Sequence, residues 1–242
     1  MTYDEFLQTL PELAKNYKPA TEALEQLRAV TLLMVIGPSG VGKTTLVNKL
    51  SIPYVPSDTT RPIRPHEASG KDMYFLTDYD KVVSDINTGE FVQVAIGASG
   101  DLYATRASSY PASGLAVMPV MADVVPIFRG LGFASTTTIF VVPPSFDEWM
   151  RRMDSHKLTD EQLQKRLAEA KRSLSFALHD PETHFILNDT IENALVQINN
   201  LLDGRIDQKL ANLARQTAEQ NLERISNWNQ KLVLSKKSTS SL

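Results

Sequence analysis

The sequence predicts an α/β protein with a doubly wound parallel sheet, and two observations indicate this class. Short apolar runs that stop at a glycine, a proline or an asparagine have the texture of strands buried on both faces, namely residues 30–36 (VTLLMVI), 138–142 (TIFVV) and 185–187 (FIL). Helical patterns lie between and after these runs, at residues 44–50, 146–153, 160–178 and 191–202. Strands that alternate with helices are typical of such a sheet.

Two segments in the first half of the chain have a different texture. Residues 1–28 predict a helical N-terminal extension that is interrupted by Pro11 and by a turn at 16–19. Residues 54–111 are polar and rich in Thr, Ser and Arg, with alternating stretches at 73–77 and 91–96. We expect this part to be a small β-containing insertion into a domain that spans residues 29–204.

The last segment, residues 205–242, predicts a C-terminal amphipathic helix and a disordered tail. The helix is expected over 205–232, and the tail at 236–242 (KKSTSSL). The helix carries an apolar stripe that packs either on the parent domain or on a second copy of the chain, which would make a homo-oligomer; its residues are Leu210, Leu213, Leu222 and Ile225.

Composition excludes several classes of function. The 242 residues are 42% hydrophobic and carry a net charge of −3, so most of the chain folds and no broad positive field is available for nucleic acid. The absence of cysteine excludes disulfides and thiolate metal sites. The acidic N-terminus does not resemble a signal peptide, and no apolar run is long enough to span a bilayer. These features predict a cytoplasmic protein without a membrane partner.

A glycine-rich motif follows the first predicted strand and leads into a helix. Its sequence, GPSGVGKTT at residues 37–45, matches G-x-x-x-x-G-K-[ST], and we call it the phosphate loop. Glycines allow backbone N–H groups to approach phosphate oxygens, and the following helix adds its dipole. Lys43 is expected to bridge the outer phosphates, and the Thr44 hydroxyl suits Mg²⁺. The predicted ATP-binding residues here are Gly37, Ser39, Gly40, Val41, Gly42, Lys43, Thr44 and Thr45.

A second anion site is predicted at the start of the insertion. Arg61 and Arg64 each precede a proline in SDTTRPIRP, residues 57–65. A guanidinium presents a planar fork that matches phosphate oxygens in pairs. A phosphate loop followed by an arginine-rich insertion is what a kinase with a phosphorylated acceptor requires.

Taken together, these motifs resemble the guanylate kinase family, a group of P-loop NTPase-type kinases, over residues 33–202. The resemblance rests on the number and order of its segments: GPSGVGKTT (37–45), SDTTRPIRP (57–65), GKDMYF (70–75), GDLYAT (100–105), VPPSFDEWMRRM (142–153), QKRLAEAKRSL (164–174) and ILNDTIENAL (186–195).

The resemblance implies roles for individual residues. It assigns the acceptor phosphate to Ser57, Arg61, Arg64 and Tyr103, and it adds Gln93 and Thr105 to the acceptor site. It places Arg166 near the transferring phosphoryl group, Asn188 beside the adenine of ATP, and a lid at 151–165. The implied catalytic set is Lys43, Arg61, Arg64 and Arg166.

Departures from the family pattern fall on the acceptor side. Gln93 replaces the glutamate that accepts hydrogen bonds from guanine, and residues 117–120 (VMPV) hold no carboxylate where the family has one. Met73 replaces a tyrosine, and Ser155 replaces a lid arginine, with Arg151, Arg152, His156 and Lys157 as substitutes nearby. The phosphate contacts are kept while the guanine contacts are altered, which favours an active kinase with a changed acceptor.

Three functions are therefore open. The first is an ATP- and Mg²⁺-dependent phosphotransferase that acts on a nucleoside monophosphate, either GMP or a related acceptor. The second is a kinase of the same fold that acts on a sugar phosphate such as a ribose bisphosphate. The third is a guanylate kinase-like binding module with weak turnover.

Overall fold

The computed structural model describes residues 1–64, 67–70, 73–97, 99–154 and 158–239, with the backbone alone from 229 onward. The chain forms two compact units. The first contains residues 1–34, 51–118 and 124–137, and the second contains residues 35–50, 119–123 and 138–242. Ser155, which replaces the lid arginine, and two of its expected substitutes, His156 and Lys157, lie outside the described residues.

The predicted parallel sheet is present. Its four strands stand in the order β6-β1-β7-β8, and β7 and β8 pair in parallel from Thr138↔Thr183 to Val142↔Leu187. The apolar run of β1 is buried over nearly its whole length, as expected for a strand covered on both faces. The strand bounds are β1 Val30–Ile36, β6 Gly114–Pro119, β7 Ser135–Val142 and β8 Thr183–Leu187.

The helices that the spacing predicted are also present. For the four helices expected within residues 44–202, the largest shift at a predicted end is one residue. Side chains mark several of these boundaries: Thr159 forms a capping box with Gln162, and Thr190 caps the next helix through the Asn193 amide. The helices of this part are α3 Lys43–Lys49, α5 Val125–Arg129, α6 Phe146–Asp154, α7 Asp160–His179 and α8 Ile191–Leu202.

The insertion is a second sheet with one helix. Its strands stand in the order β3-β2-β5-β4, and β5 pairs antiparallel with both β2 and β4. The helix α4, which the sequence pattern did not predict, begins at the cap Asp78 and ends at Gly89 in the left-handed conformation. The bounds are β2 Ser57–Thr59, β3 Met73–Phe75, α4 Tyr79–Thr88, β4 Phe91–Ile96 and β5 Leu102–Arg106.

The N-terminal extension belongs to the core of this insertion. It consists of α1 (Tyr3–Lys15), the short α2 (Thr21–Glu25) and a 3₁₀ turn. Phe6 and Leu10 are fully buried in a cluster with residues of α4, β4 and β5. The predicted interruption at Pro11 is wrong, since α1 continues through it. Pro11 is exposed, so the packing of the opposite helix face outweighs the one missing backbone hydrogen bond.

The C-terminal helix differs from its prediction in two ways. Helix α9 runs from Gln208 to Thr239, where 205–232 was expected, and it overlaps the predicted tail as far as residue 239. Disorder of that tail stays a prediction, and 240–242 lie outside the described residues. Its buried face differs in part: Leu210 and Leu213 are exposed and Leu222 is half-buried, whereas Ile225 is fully buried as predicted, together with Ala214, Thr217, Ala218 and Asn221. Small side chains allow close approach, so they form the contact with α7 and β8. No described helix has the length and apolar character needed to cross a membrane.

Candidate active site

The phosphate loop connects β1 to α3, and its glycines hold conformations that other residues rarely adopt. Gly42 has φ of +94°, and a Cβ there would lie 2.7 Å from the Asn188 amide nitrogen. A Cβ on Gly37 would lie 2.8 Å from the Val141 carbonyl oxygen. Because both positions combine positive φ with a close neighbour, only glycine fits. Gly40 also has positive φ, beside Met153.

Lys43 lies within the loop that it is predicted to serve. Its ammonium group donates hydrogen bonds to the carbonyls of Gly37, at 2.5 Å, and Pro38, at 2.8 Å. Burial lowers the pKa of Lys43 to about 8; Glu169 opposes this shift and Arg166 adds to it. A polyphosphate would replace the carbonyls as the partner of this charge. Thr44 and Thr45 are exposed on the first turn of α3.

Two distant side chains hold Ser39 at the tip of the loop. The guanidinium of Arg166, on α7, donates a hydrogen bond to the Ser39 hydroxyl. The indole N–H of Trp149, on α6, donates to the Ser39 carbonyl at 2.8 Å. The structure thus brings Arg166 to the phosphate loop. Sequence reasoning missed Trp149, for which the only signal is its position three residues after Phe146 on a helical face.

Asn188 also supports the loop. It follows β8, is 2% exposed, and its amide nitrogen donates a 2.7 Å hydrogen bond to the Val41 carbonyl. The backbone carbonyl of Asn188 accepts hydrogen bonds from the Arg152 guanidinium at 3.3 Å. Asn188 therefore contacts the backbone of the predicted nucleotide site directly, and its contact with adenine stays a prediction.

In the other unit, Arg61 is paired with a carboxylate that sequence reasoning missed. Its two terminal nitrogens donate to Glu67 at 2.8 and 2.6 Å, and the Arg64 backbone amide donates to the same carboxylate at 2.9 Å. The Arg64 side chain is half exposed, 3.9 Å from Glu67. These hydrogen bonds lower the pKa of Glu67 although burial opposes them. Glu67 stands three residues after Arg64, and this spacing was the available signal.

The remaining predicted acceptor residues share one face of the insertion sheet. Gln93 pairs with Thr105 across β4 and β5, and Tyr103 pairs with Thr59, so strand alternation puts these side chains and Ser57 on the same side. Gln93 is 5% exposed, and its carbonyl oxygen is buried without a hydrogen-bond partner among the described residues. The Thr105 hydroxyl lies 3.0 Å from the Tyr110 hydroxyl.

The opposite face of this sheet carries an ion network around two buried carboxylates, Asp58 and Asp85. Arg106 contacts Asp85 of α4 at 2.6 Å and Asp58 of β2 at 3.5 Å. Lys81 completes the network with a 2.9 Å contact to Asp85. Burial raises the pKa of Asp58 to about 6, although Arg106 opposes this shift. The network ties α4 to the sheet that bears the acceptor residues.

A glycine-rich loop joins a buried parallel strand to a helix, and Lys43 and Arg166 both contact it. This arrangement defines the class of P-loop nucleotide-binding α/β proteins. Comparison with known proteins then identifies the family. The family model of guanylate kinase matches residues 29–205. The chain therefore belongs to the guanylate kinase family, whose members are nucleoside monophosphate kinases.

Individual relatives agree with this assignment. The guanylate kinase of Sus scrofa is 32% identical over 201 residues, which cover 74% of this chain and 95% of the relative. That of Corynebacterium diphtheriae is 32% identical over 185 residues, 72% of this chain and 95% of the relative. The crystal structure of guanylate kinase from Anaplasma phagocytophilum aligns with a TM-score of 0.56 at 23% identity, covering 73% of this chain and 86% of that one.

Proposed function

We propose that the chain transfers the γ-phosphoryl group of ATP to a nucleoside monophosphate, GMP or a related acceptor, with Mg²⁺ bound to the ATP. An oxygen of the acceptor phosphate forms a bond to the γ-phosphorus while the bond to the β–γ bridging oxygen breaks, which yields ADP and a nucleoside diphosphate. The observation that carries the proposal is that two cationic side chains, those of Lys43 and Arg166, contact the same glycine-rich loop. Alignment and cations are the main needs of this loose transition state.

The donor side is assigned from these contacts. Backbone amides of residues 39–44 would cradle the phosphates, and Lys43 would leave the Gly37 and Pro38 carbonyls to bridge the outer ones. Arg166 would reach the transferring group from its position on the Ser39 hydroxyl. Asn188 would lie beside the adenine while its amide holds Val41.

The metal assignment rests on the chemistry of the donor atoms. The Thr44 hydroxyl is a hard oxygen on the exposed first turn of α3. Mg²⁺ keeps most of its ligands as water and phosphate, so one protein hydroxyl is a sufficient partner. No group of three or more His, Asp or Glu among the described residues could hold a metal alone, which is consistent with a metal that arrives with ATP. When bound, Mg²⁺ would neutralise charge on the β- and γ-phosphates.

The acceptor side is assigned to the insertion. Ser57, Arg61, Arg64 and Tyr103 would hold the acceptor phosphate, and Gln93 and Thr105 would contact its base. The Glu67 carboxylate accepts hydrogen bonds from both terminal nitrogens of the Arg61 guanidinium and so orients it. The side-chain carbonyl of Gln93, which has no hydrogen-bond partner among the described residues, can accept one hydrogen bond from a ligand. Because Gln93 carries no charge, it favours an acceptor other than GMP, and a ribose bisphosphate is the second candidate.

The experiment is an assay of ADP formation from ATP and Mg²⁺ with a panel of GMP, IMP, AMP, UMP and ribose 1,5-bisphosphate. We expect acceptor-dependent ADP formation with at least one member. Lys43→Ala should lower kcat/KM by about 10²- to 10³-fold, since it removes a charge that acts in the transition state. Lys49→Ala, at the exposed end of the same helix, is the matched control and should be unchanged. No ADP with any acceptor would leave only the binding-module interpretation.

A further inference from the structure

The C-terminal helix lies outside the family match, which ends at residue 205, yet it packs closely on the unit that carries the phosphate loop. Ala214, Ala218 and Ile225 of α9 are fully buried. Asn221 is 2% exposed, and its amide nitrogen lies 3.4 Å from the Pro143 carbonyl, directly after β7. This packing brings the following turns of α9 to the beginning of α6.

Two side chains of α9 enclose Phe146, the first residue of α6. The Arg224 guanidinium lies over the Phe146 ring at 5.2 Å and donates a 2.7 Å hydrogen bond to Asp147. The ring of Trp228 lies 5.8 Å from that of Phe146. Phe146 is only 4% exposed.

Phe146 in turn contacts the residue that holds the loop. Its ring meets Trp149 edge-on, with an interplanar angle of 81° and 5.8 Å between centroids. Trp149 is fully buried, and its indole N–H donates to the Ser39 carbonyl at 2.8 Å. A displacement of Phe146 would therefore shift the donor that fixes the Ser39 backbone. Ser39 also accepts the Arg166 hydrogen bond.

We propose that Arg224 and Trp228 are positioning residues of the nucleotide site: they hold Phe146 against Trp149, which fixes the backbone of the phosphate loop at Ser39. This inference rests on the proposed function, because it assumes that the loop binds ATP. The C-terminal helix then supports the ATP site. It increases the affinity for ATP and leaves the affinity for the acceptor unchanged.

The test uses the full chain and measures ATP binding by calorimetry, separately from turnover. Trp228→Ala should weaken ATP binding by about threefold to tenfold, the range expected for loss of an aromatic contact. The KM of the acceptor should not change. Trp228→Phe keeps a ring on Phe146 and should restore the affinity. Glu223→Ala, exposed on the same helix, is the matched control and should bind as the unaltered chain does.

Fluorescence supplies a second readout. Trp149 and Trp228 are the only tryptophans in the sequence. In the Trp228→Phe chain all indole emission therefore comes from Trp149, which donates the hydrogen bond to Ser39. We expect ATP to change this emission, and Arg224→Gln added to that chain should reduce the change and the affinity together. Arg224→Gln decides the matter if Trp228→Ala does not fold.

The outcomes separate the two proposals. Equal ATP affinity in the unaltered chain, Trp228→Ala and Arg224→Gln would overturn the positioning role and leave the proposed kinase intact. Failure of the unaltered chain to bind ATP would overturn both. The positioning role would also be overturned if all three variants lost stability and if the Trp228→Phe chain did not recover the ATP affinity of the unaltered chain.

Discussion

The side-chain amide of Asn188 donates a 2.7 Å hydrogen bond to the carbonyl of Val41, and this contact joins the end of the edge strand β8 to the phosphate loop. Both residues are almost completely buried. A buried carbonyl that loses its donor retains the full cost of its desolvation. The contact therefore links the stability of this unit to the shape of the phosphate loop, the proposed nucleotide site.

Asn188→Ala should lower the free energy of unfolding by about 1–3 kcal/mol, because it leaves the Val41 carbonyl unpaired. It should also raise the KM for ATP. Urea unfolding and an ATP titration of the rate measure the two effects. Asn199→Ala, at an exposed position of α8, is the control. An Asn188→Ala chain with unaltered stability and KM would show that the hydrogen bond has no energetic role.

The pKa of Lys43 predicts how ATP binding depends on pH. The pKa is lowered to about 8, mainly by burial, so the side chain loses its charge as pH rises through that value. A bound polyphosphate favours the charged form and raises the pKa. The affinity for ATP should therefore be highest well below pH 8 and should fall as pH rises above 8, and binding near this pH should take up a proton.

Calorimetry at about pH 8.5 in two buffers of different ionisation enthalpy would measure this uptake. The expected result is an apparent enthalpy that differs between the buffers. Lys43→Arg keeps its charge throughout this range, so its binding should take up no proton near pH 8. Equal enthalpies in both buffers for the unaltered chain would contradict the prediction.

Gln93 predicts the acceptor preference. Its neutral amide has one accepting atom, and this oxygen is buried with no hydrogen-bond partner in the part of the chain that the structure describes. A carboxylate offers two acceptors and a charge, and hydrogen bonds to charged groups are the stronger ones. Gln93→Glu should therefore raise the ratio of kcat/KM for GMP to that for IMP by about tenfold, since only guanine has the second donor.

The assay compares both acceptors within each variant, so changes in overall activity cancel. It is run at about pH 8 because burial would raise the pKa of the new carboxylate. Gln93→Ala serves as the second variant, in which the ratio should not rise. A ratio that Gln93→Glu does not change would place the base away from this side chain.

Arg61 and Glu67 should be strongly coupled. A double-mutant cycle with Arg61→Ala and Glu67→Ala should give a coupling free energy of about 1.5–3 kcal/mol in urea unfolding, because both side chains are largely buried and the pair is bidentate. The exposed pair Arg205 and Asp203 is the control, for which about 0.2–1 kcal/mol is expected. Equal coupling in the two cycles would contradict the view that Glu67 orients Arg61.

Much of the fold could be read from local patterns. A run such as VTLLMVI has few alternatives to a buried strand, and β1 begins and ends where its apolar pattern does. The phosphate loop was equally predictable, because its shape depends on glycines with positive φ and on a lysine at the start of the next helix, all within nine residues. The helix α4 was missed, since its apolar face is short and the surrounding segment is polar.

The contacts that hold the sites required the tertiary structure. Trp149 and Ser39 are 110 positions apart, and Asn188 and Val41 are 147 positions apart. No periodicity within one segment can pair residues at such separations. The same reason explains α9: its leucines define an apolar stripe in sequence, but the neighbouring α7 and β8 accept the small face of Ala214 and Ala218.

The sequence by itself determined the fold class, the family and the phosphate loop, because each depends on the order of residues along short segments. Only the tertiary structure decided which side chains hold the loop and that Arg61 donates two hydrogen bonds to Glu67. It also decided that the Gln93 carbonyl is buried with no hydrogen-bond partner among the residues described. These features depend on which distant atoms meet and on what burial does to their hydrogen bonds, and both are properties of the packed chain.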